Sequence, residues 1–185
     1  MPLSSVVGAQ SIVRPGVCTS STRPASPYDG QVIYETDTDL VRIWNGSTWV
    51  PQGSTIQQIQ YYQSTSQVQF TSSTFVDVTN YSVTITPRST SSLVRIDVTL
   101  NTRPQNANII AKFQVLRGST TTMQMEYHTL ASGDYYQQLS GSYIDNPATT
   151  SATTYKLQGN TASGTQTINS GARTSSSIIL TEYLP

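Results

Sequence analysis

Short runs of alternating apolar and polar residues dominate the chain from about residue 66 onward. Between residues 93 and 100 the alternation is regular, with Val94, Ile96, Val98 and Leu100 at every second position. Because successive side chains of a strand point to opposite faces, this run predicts a strand with one buried and one wet face. Residues 109–116 are apolar on both faces, which predicts a strand in the middle of a sheet.

Further apolar stripes predict strands around residues 68–70, 75–86, 123–127, 155–157, 168 and 178–180. Gly, Pro, Asn and Ser clusters separate these stripes at the spacing expected of an all-β sandwich. About eight strands in roughly 120 residues fit an antiparallel, jelly-roll-like sandwich, assigned here to residues 66–185. No alternation of strands with helical patterns occurs, so an α/β enzyme fold is not expected.

The first 50 residues follow a different pattern and predict an extended arm with a small β-meander. Residues 31–35 and 40–44 are predicted to form a hairpin around 36–39, and Asn45-Gly46 predicts the next tight turn. So small a meander is marginally stable alone in water, so its aromatic residues are expected to bury against another domain or subunit. Residues 51–65 are Gln-rich and are predicted to be a linker.

Composition narrows the possible partners. Serine and threonine make up 54 of the 185 residues, only 11% are charged, and the formal net charge is zero. Binding to nucleic acid or to an anionic membrane surface depends on a basic excess, so neither partner is expected. No stretch approaches the ~20 apolar residues that span a bilayer. The single cysteine, Cys18, has no second cysteine with which to form an internal disulfide.

The residues that usually carry catalysis are sparse. There is one histidine, His128, and no nucleophile-elbow or phosphate-binding glycine motif, so we expect no enzyme activity, cofactor or metal centre. Glu35, Asp37 and Asp39 form the densest acidic patch. Asp in a hairpin turn commonly accepts hydrogen bonds from backbone N–H groups, which is the favoured interpretation. Glycosidic cleavage by this patch is disfavoured, and ion binding at Asp37 and Asp39 stays open as an alternative.

Tyrosine is the one residue type with a possible binding role, since eleven tyrosines exceed three phenylalanines. Tyr135, Tyr136 and Tyr143 lie close together in the sequence. A tyrosine ring is apolar with a polar tip, which suits partly wet subunit interfaces as well as stacking on sugars. Strand pairing with subunit contact is the favoured interpretation, and host-surface glycan binding is the alternative.

Two segments near the N-terminus resemble a module that recurs in virion proteins of tailed bacteriophages. They are Thr22–Thr38, which reads TRPASPYDGQVIYETDT, and Trp44–Trp49, which reads WNGSTW. Residues 74–78, 83–87 and 115–119 are more loosely similar to C-terminal β-sandwich domains of phage fibre and surface proteins.

The resemblance implies a homotrimeric, structural component of the virion surface that contacts other virion proteins of the capsid, tail or baseplate. Such modules occur in tail fibres, baseplate appendages and capsid decoration or cement proteins. The chain has no heptads or periodic repeat, which favours a short appendage or a decoration protein over a long fibre. Residues 1–50 are then the attachment module, and the predicted interface residues are Arg23, Pro24, Tyr34, Trp44 and Trp49. Fibre and decoration both remain open.

Overall fold

A computed structural model describes residues 15–52, 56–104, 110–128, 136–171 and 174–184, and throughout these ranges the protein is all-β. The predicted fold class is therefore confirmed. The chain divides into two compact units, Met1–Ser54 and Thr55–Pro185, called here the N-terminal unit and the sandwich. Across the described ranges, there is no helix with the length and apolar character needed to cross a membrane.

The N-terminal unit contains one four-stranded sheet in the order β1-β2-β3-β4. The strands β2, β3 and β4 form an antiparallel meander, whereas β1 pairs with β2 in parallel and was not predicted. A parallel pair cannot be closed by a tight turn, and residues 19–31 provide the connection between β1 and β2. The strands are β1 Gly16–Cys18, β2 Val32–Glu35, β3 Leu40–Trp44 and β4 Trp49–Pro51.

Two tight turns set the register of the meander. Asp39 closes the turn between β2 and β3 with a φ of 56°, which Asp tolerates better than most residues. In the next turn Gly46 has a φ of 94°, and the Asn45 side-chain oxygen accepts hydrogen bonds from the backbone N–H groups of Ser47 and Thr48. The Asn-Gly turn predicted from sequence is therefore present, with an Asx turn reinforcing it.

The described part of the sandwich contains ten strands in two sheets. One sheet has the order β10-β9-β12-β7, and the other has the order β5-β14-β8-β13-β6 with β11 also paired to β8. The order of the eight long strands, β5-β14-β8-β11 facing β7-β12-β9-β10, is that of a jelly roll. The strands are β5 Ile56–Ser64, β6 Val68–Phe70, β7 Val76–Ile85, β8 Leu93–Pro104, β9 Ile110–Arg117, β10 Thr120–His128, β11 Gln137–Asp145, β12 Thr153–Thr161, β13 Gln166–Ile168 and β14 Ser176–Tyr183.

The core lies between the two sheets. The alternating residues of β8 that the sequence placed on one face are all buried there, as is every second residue of β9, β12 and β14. In β7 the buried residues are Val78, Tyr81, Val83 and Ile85, and the alternation breaks at Asn80, which has a φ of 67°. Phe113 and Phe70 meet edge to face with ring centroids 5.9 Å apart. The largest fully buried side chains of this core are Tyr81, Ile85, Ile96, Leu100, Phe113, Tyr155, Leu157, Ile168, Ile178 and Leu180.

Residues 51–65 were predicted to be a linker, but the structure has a strand there. Most of this range is β5, which pairs antiparallel with β14 along its whole length and forms an edge of the six-stranded sheet. The buried Glu182 carboxylate fixes this edge, because it accepts a hydrogen bond from Gln58 Nε2 at 2.6 Å. The strand was missed because its glutamines interrupt the apolar alternation, although Tyr62 packs against the core and meets Tyr81 edge to face.

Candidate functional site

The centre of the N-terminal unit is the Glu35 carboxylate at the end of β2, which is fully buried. Arg23 Nε donates to its Oε1, Arg42 Nε donates to its Oε2 at 2.6 Å, and Thr38 Oγ1 donates to Oε2 at 2.8 Å. Burial by itself raises the pKa of Glu35, but these hydrogen bonds outweigh it and hold the pKa below its usual range. Arg23, a predicted interface residue, therefore holds the module together.

The turn after β2 uses its two aspartates as hydrogen-bond acceptors. Asp37 accepts from Ser20 N at 2.8 Å and from Ser20 Oγ at 2.5 Å, and these bonds lower its pKa. The Tyr34 hydroxyl donates to Asp39, whose negative charge raises the pKa of the phenol. Among the described residues, no group of three or more His, Cys, Asp or Glu side chains is placed to hold a metal ion.

The four other predicted interface residues lie on or beside this sheet. Trp44 and Trp49 face each other across β3 and β4, with ring centroids 5.6 Å apart and a 60° angle between the rings. Trp49 is buried, whereas Trp44, Tyr34 and Pro24 are half-buried. Pro24 and the two half-buried aromatic residues are thus open to a partner, while Trp49 is largely withdrawn from solvent.

Two exposed apolar side chains of the N-terminal unit escaped sequence reasoning. Val17 on β1 and Tyr28 in the connection to β2 are each 70% exposed. Val17 was missed because β1 is a three-residue strand that no alternation reveals. Tyr28 lies within the segment that carries the phage resemblance, and its neighbouring Gly30 adopts a φ of 81° that shapes the approach to β2.

The predicted tyrosine platform is not assembled as a unit. Tyr136 lies immediately before β11 and Tyr143 near its end, seven residues and roughly 23 Å further along an extended chain. Tyr143 pairs with Ile96, whose side chain belongs to the inner face of the sheet. Tyr135 lies outside the described residues. Tyr136 and Tyr143 therefore belong to different surfaces.

Tyr136 borders a small groove of about 190 Å³. Its ring is 63% exposed, and the Arg103 guanidinium lies 5.6 Å from the ring centroid. Amide and hydroxyl side chains complete the groove, contributed by Asn101, Thr102, Gln137, Gln138, Ser170 and Thr174. An aromatic ring beside amides and hydroxyls has the chemistry to stack on a sugar and bond its hydroxyls.

Buried tyrosines elsewhere in the sandwich are structural. The Tyr155 hydroxyl donates to Asp145 Oδ2 at 2.6 Å, and burial followed by this carboxylate raises the pKa of Tyr155 well above its usual range. Burial also raises the pKa of Tyr127 to about 12, and its hydroxyl bonds Gln166. Both phenols stay protonated at neutral pH and act as hydrogen-bond donors inside the sandwich.

Comparisons with known proteins give only distant similarity. No family model matches the chain, and no curated protein matches it. Among solved structures, T=1 particles derived from infectious bursal virus align with a TM-score of 0.46 at 11% identity, over 85% of this chain and 40% of that chain. The infectious bursal disease virus VP2 subviral particle gives a TM-score of 0.42 at 12% identity, over 75% and 36% respectively.

Dimeric latent PorU from Porphyromonas gingivalis gives a TM-score of 0.35 at 10% identity, over 67% of this chain and 13% of that chain. The chain spans less than half the length of each of these three structures. Similarities of this size establish neither a family nor a function.

Proposed function

We propose that this chain is a non-enzymatic structural protein of a tailed-bacteriophage virion. It is a homotrimeric component of the particle surface, either a short tail fibre or appendage or a capsid decoration protein. One observation carries the proposal. The residues that resemble the phage module, from Thr22 to Thr38, supply the buried Glu35 carboxylate at the centre of the N-terminal unit and two of its hydrogen-bond donors, Arg23 and Thr38.

The two units suggest a division of labour. The N-terminal unit presents Val17, Tyr28 and Trp44 to solvent, and apolar side chains of this kind serve as anchors in a binding interface. The sandwich has its own apolar core. The N-terminal unit therefore attaches the protein to a neighbouring virion protein, and the sandwich forms the body that extends from the particle.

Mass spectrometry of purified phage particles tests the proposal directly. The expected result is that the chain is present in stoichiometric amount, and cryo-electron microscopy of the same particles then separates a tail from a capsid position. Absence from purified, infectious particles would overturn the structural role.

A binding assay tests the assigned attachment surface. Particles lacking the protein are incubated with the full chain and with the double variant Val17→Ser, Tyr28→Ser, and then sedimented. Truncating buried anchors costs ~2 kcal/mol or more, so association should weaken by more than tenfold. A matched control, Tyr143→Ser, removes an exposed tyrosine from the sandwich and should sediment like the unmodified chain. Equal loss in the control would reject this surface.

Glycan binding at the Tyr136 groove is a second candidate, favoured by the exposed ring beside six amide and hydroxyl residues. On a glycan array, saturable binding that is lost in Tyr136→Ala but kept in Tyr143→Ala would support it, because Tyr143 belongs to a different surface. An array without saturable binding, or binding that both variants retain, rejects a glycan site at this groove.

A further inference from the structure

The outer face of the six-stranded sheet carries several large apolar residues that are exposed to solvent. Strand pairing places Ile59, Thr181, Arg95 and Ile144 side by side in one row across β5, β14, β8 and β11. The neighbouring row consists of Tyr61, Ile179, Asp97 and Ser142. On one side of these rows lies an apolar row of Ile56, Tyr183 and Leu93, and on the other a polar row of Gln63, Ser177, Thr99 and Ser140.

Several of these side chains are exposed to an unusual degree for a strand. Ile59 is 54% exposed, Tyr61 67% and Ile144 58%, so large apolar groups occupy both edges of the face. A scattered exposed apolar residue needs no explanation, but a contiguous patch on one face marks an interaction surface. Tyr61 and Ile179 are paired neighbours on this face, and Ile59 lies beside Tyr61 on the same strand. Ile144 lies at the opposite edge, beyond Thr181 and Arg95.

The outer face of the other sheet shows what this chain does where a face meets only water. There Gln158 Nε2 donates to Asp77 Oδ1 at 2.7 Å, Lys156 Nζ lies 3.0 Å from Asp77 Oδ2, and Gln114 Nε2 donates to Gln158 Oε1 at 2.8 Å. Gln124 joins the same network through Gln114. The two outer faces of the sandwich therefore differ: one is polar and hydrogen-bonded, whereas the other also exposes large apolar side chains.

The two charged residues on the outer face of the six-stranded sheet neutralise each other. Arg95 Nη2 and Asp97 Oδ1 are 2.9 Å apart on the central strand β8, and the Ser142 hydroxyl donates to the same carboxylate. The face therefore has no net charge, and the whole chain has none. A strongly charged partner gains nothing from such a surface, whereas a second copy presents one cation and one anion that can exchange partners across the contact.

The size of the face limits what it can bury. Four strands ~4.8 Å apart and seven residues of ~3.4 Å give a face of roughly 19 by 24 Å, about 450 Å² in projection. A standard interface buries about 800 Å² of accessible surface on each partner, so a stable contact uses the strand edges beside the face as well. The Arg95–Asp97 pair lies at the centre of the face, with Ile59 and Tyr61 on one side and Ile144 on the other.

We infer that the outer face of the six-stranded sheet is the surface through which copies of this chain associate, with Ile59, Tyr61 and Ile144 at the contact. The inference deepens the proposed structural role by naming the surface that assembles the homo-oligomer. The inference rests on the proposed function only for the biological purpose of the contact. The contact itself is argued from the exposed residues of this face.

Analytical ultracentrifugation of the full chain tests the inference. The unmodified protein should sediment as an oligomer at micromolar concentration, and the double variant Ile59→Lys, Ile144→Lys should shift to monomer. Like charges brought together across the contact should weaken association by about a hundredfold or more. The control is Gln124→Lys, Gln158→Lys, which adds the same charge to the polar outer face and should leave the oligomer intact.

Photo-crosslinking supplies a readout that does not depend on a disruptive change. A benzophenone-bearing aromatic residue at position 61, which preserves a large ring, should yield covalent dimers or trimers of the chain, and the same residue at position 124 should not. A monomeric unmodified protein, an oligomer that persists in the folded Lys variant, or cross-links only from position 124 would overturn the inference. The presence of the chain in purified particles is a separate result, so the structural role can stand when this contact fails.

Discussion

The two units of the chain are stabilised by different physics. The sandwich buries a continuous apolar cluster that draws residues from both sheets, whereas the N-terminal unit is organised around one buried carboxylate and two guanidinium groups. A sheet of four short strands has too little apolar surface to offset the entropy of ordering its loops. Charge-assisted hydrogen bonds that link Arg23, Glu35 and Arg42 fasten those loops instead.

The unfolding of the two units can be followed by separate spectroscopic signals. Both tryptophans of the chain, Trp44 and Trp49, belong to the N-terminal unit. Tryptophan fluorescence therefore follows the unfolding of that unit, while far-ultraviolet circular dichroism is dominated by the longer strands of the sandwich. Fluorescence and circular dichroism, measured together, therefore report which unit a substitution affects.

The largest effect is expected in the sandwich core. Phe113→Ala removes a fully buried ring that packs edge to face on Phe70, and such truncations cost about 3–5 kcal/mol of unfolding free energy. Urea unfolding followed by circular dichroism should show the loss, with the tryptophan signal changed far less. Gln124→Ala, an exposed residue of the adjacent strand, serves as the control. A Phe113→Ala midpoint equal to that of the control would contradict the assigned core.

A smaller but more selective effect is expected from Glu35→Gln. The amide keeps the shape of the carboxylate but leaves Arg23 and Arg42 without their anion, and breaking a fully buried pair costs about 3–5 kcal/mol. Arg23 retains contact with solvent, so a loss of about 2–3 kcal/mol is expected here.

The tryptophan transition should move to lower urea while the circular dichroism transition stays. Asp29→Asn removes an exposed negative charge from the same unit and should leave both transitions in place. Parallel shifts of both signals in Glu35→Gln would show that the two units do not unfold independently.

Sequence reasoning recovered the strands whose apolar residues alternate, including the edge strands β7 and β10. The regular alternation of residues 93–100 and the Asn45-Gly46 turn gave strands and a turn where the structure has them. By contrast, β5 and β11 were missed, because amide and small polar residues interrupt the apolar alternation in both strands. The three-residue β1 is too short for any period to be visible.

The site residues show the same limit. Arg23 is predicted as an interface residue because it lies in the segment that resembles the phage module. The sequence does not show that its side chain binds Glu35, twelve positions away. Tyr136 and Tyr143 are close in sequence yet lie on different surfaces, since an odd number of residues along a strand reverses the face. The apolar outer face of the sandwich is invisible in any one segment, because its rows are assembled from four strands distant in sequence.

Acid should weaken the N-terminal unit, because protonation of Glu35 removes part of the stability that Glu35→Gln removes in full. The pKa of Glu35 is lowered in the folded unit, against the opposing effect of burial, by its hydrogen bonds from Arg23, Arg42 and Thr38. A carboxyl whose folded pKa lies below its unfolded value, about 4.3 for Glu, contributes stability above that value and loses it as the pH falls through the folded pKa. Asp37, whose pKa is lowered by its bonds from Ser20, acts in the same direction.

The urea midpoint of the tryptophan transition should therefore stay level from about pH 7 to about pH 5 and fall at more acid pH. In Glu35→Gln the midpoint should start lower and fall less, because the main titrating group is gone and only Asp37 remains. A variant whose acid dependence equals that of the unmodified chain would show that Glu35 is not the group that couples this unit to pH. Arg42, which binds the Glu35 carboxylate, also donates a hydrogen bond to the main-chain carbonyl of the buried Trp49 at 3.4 Å, so Trp49 is a suitable probe of this site.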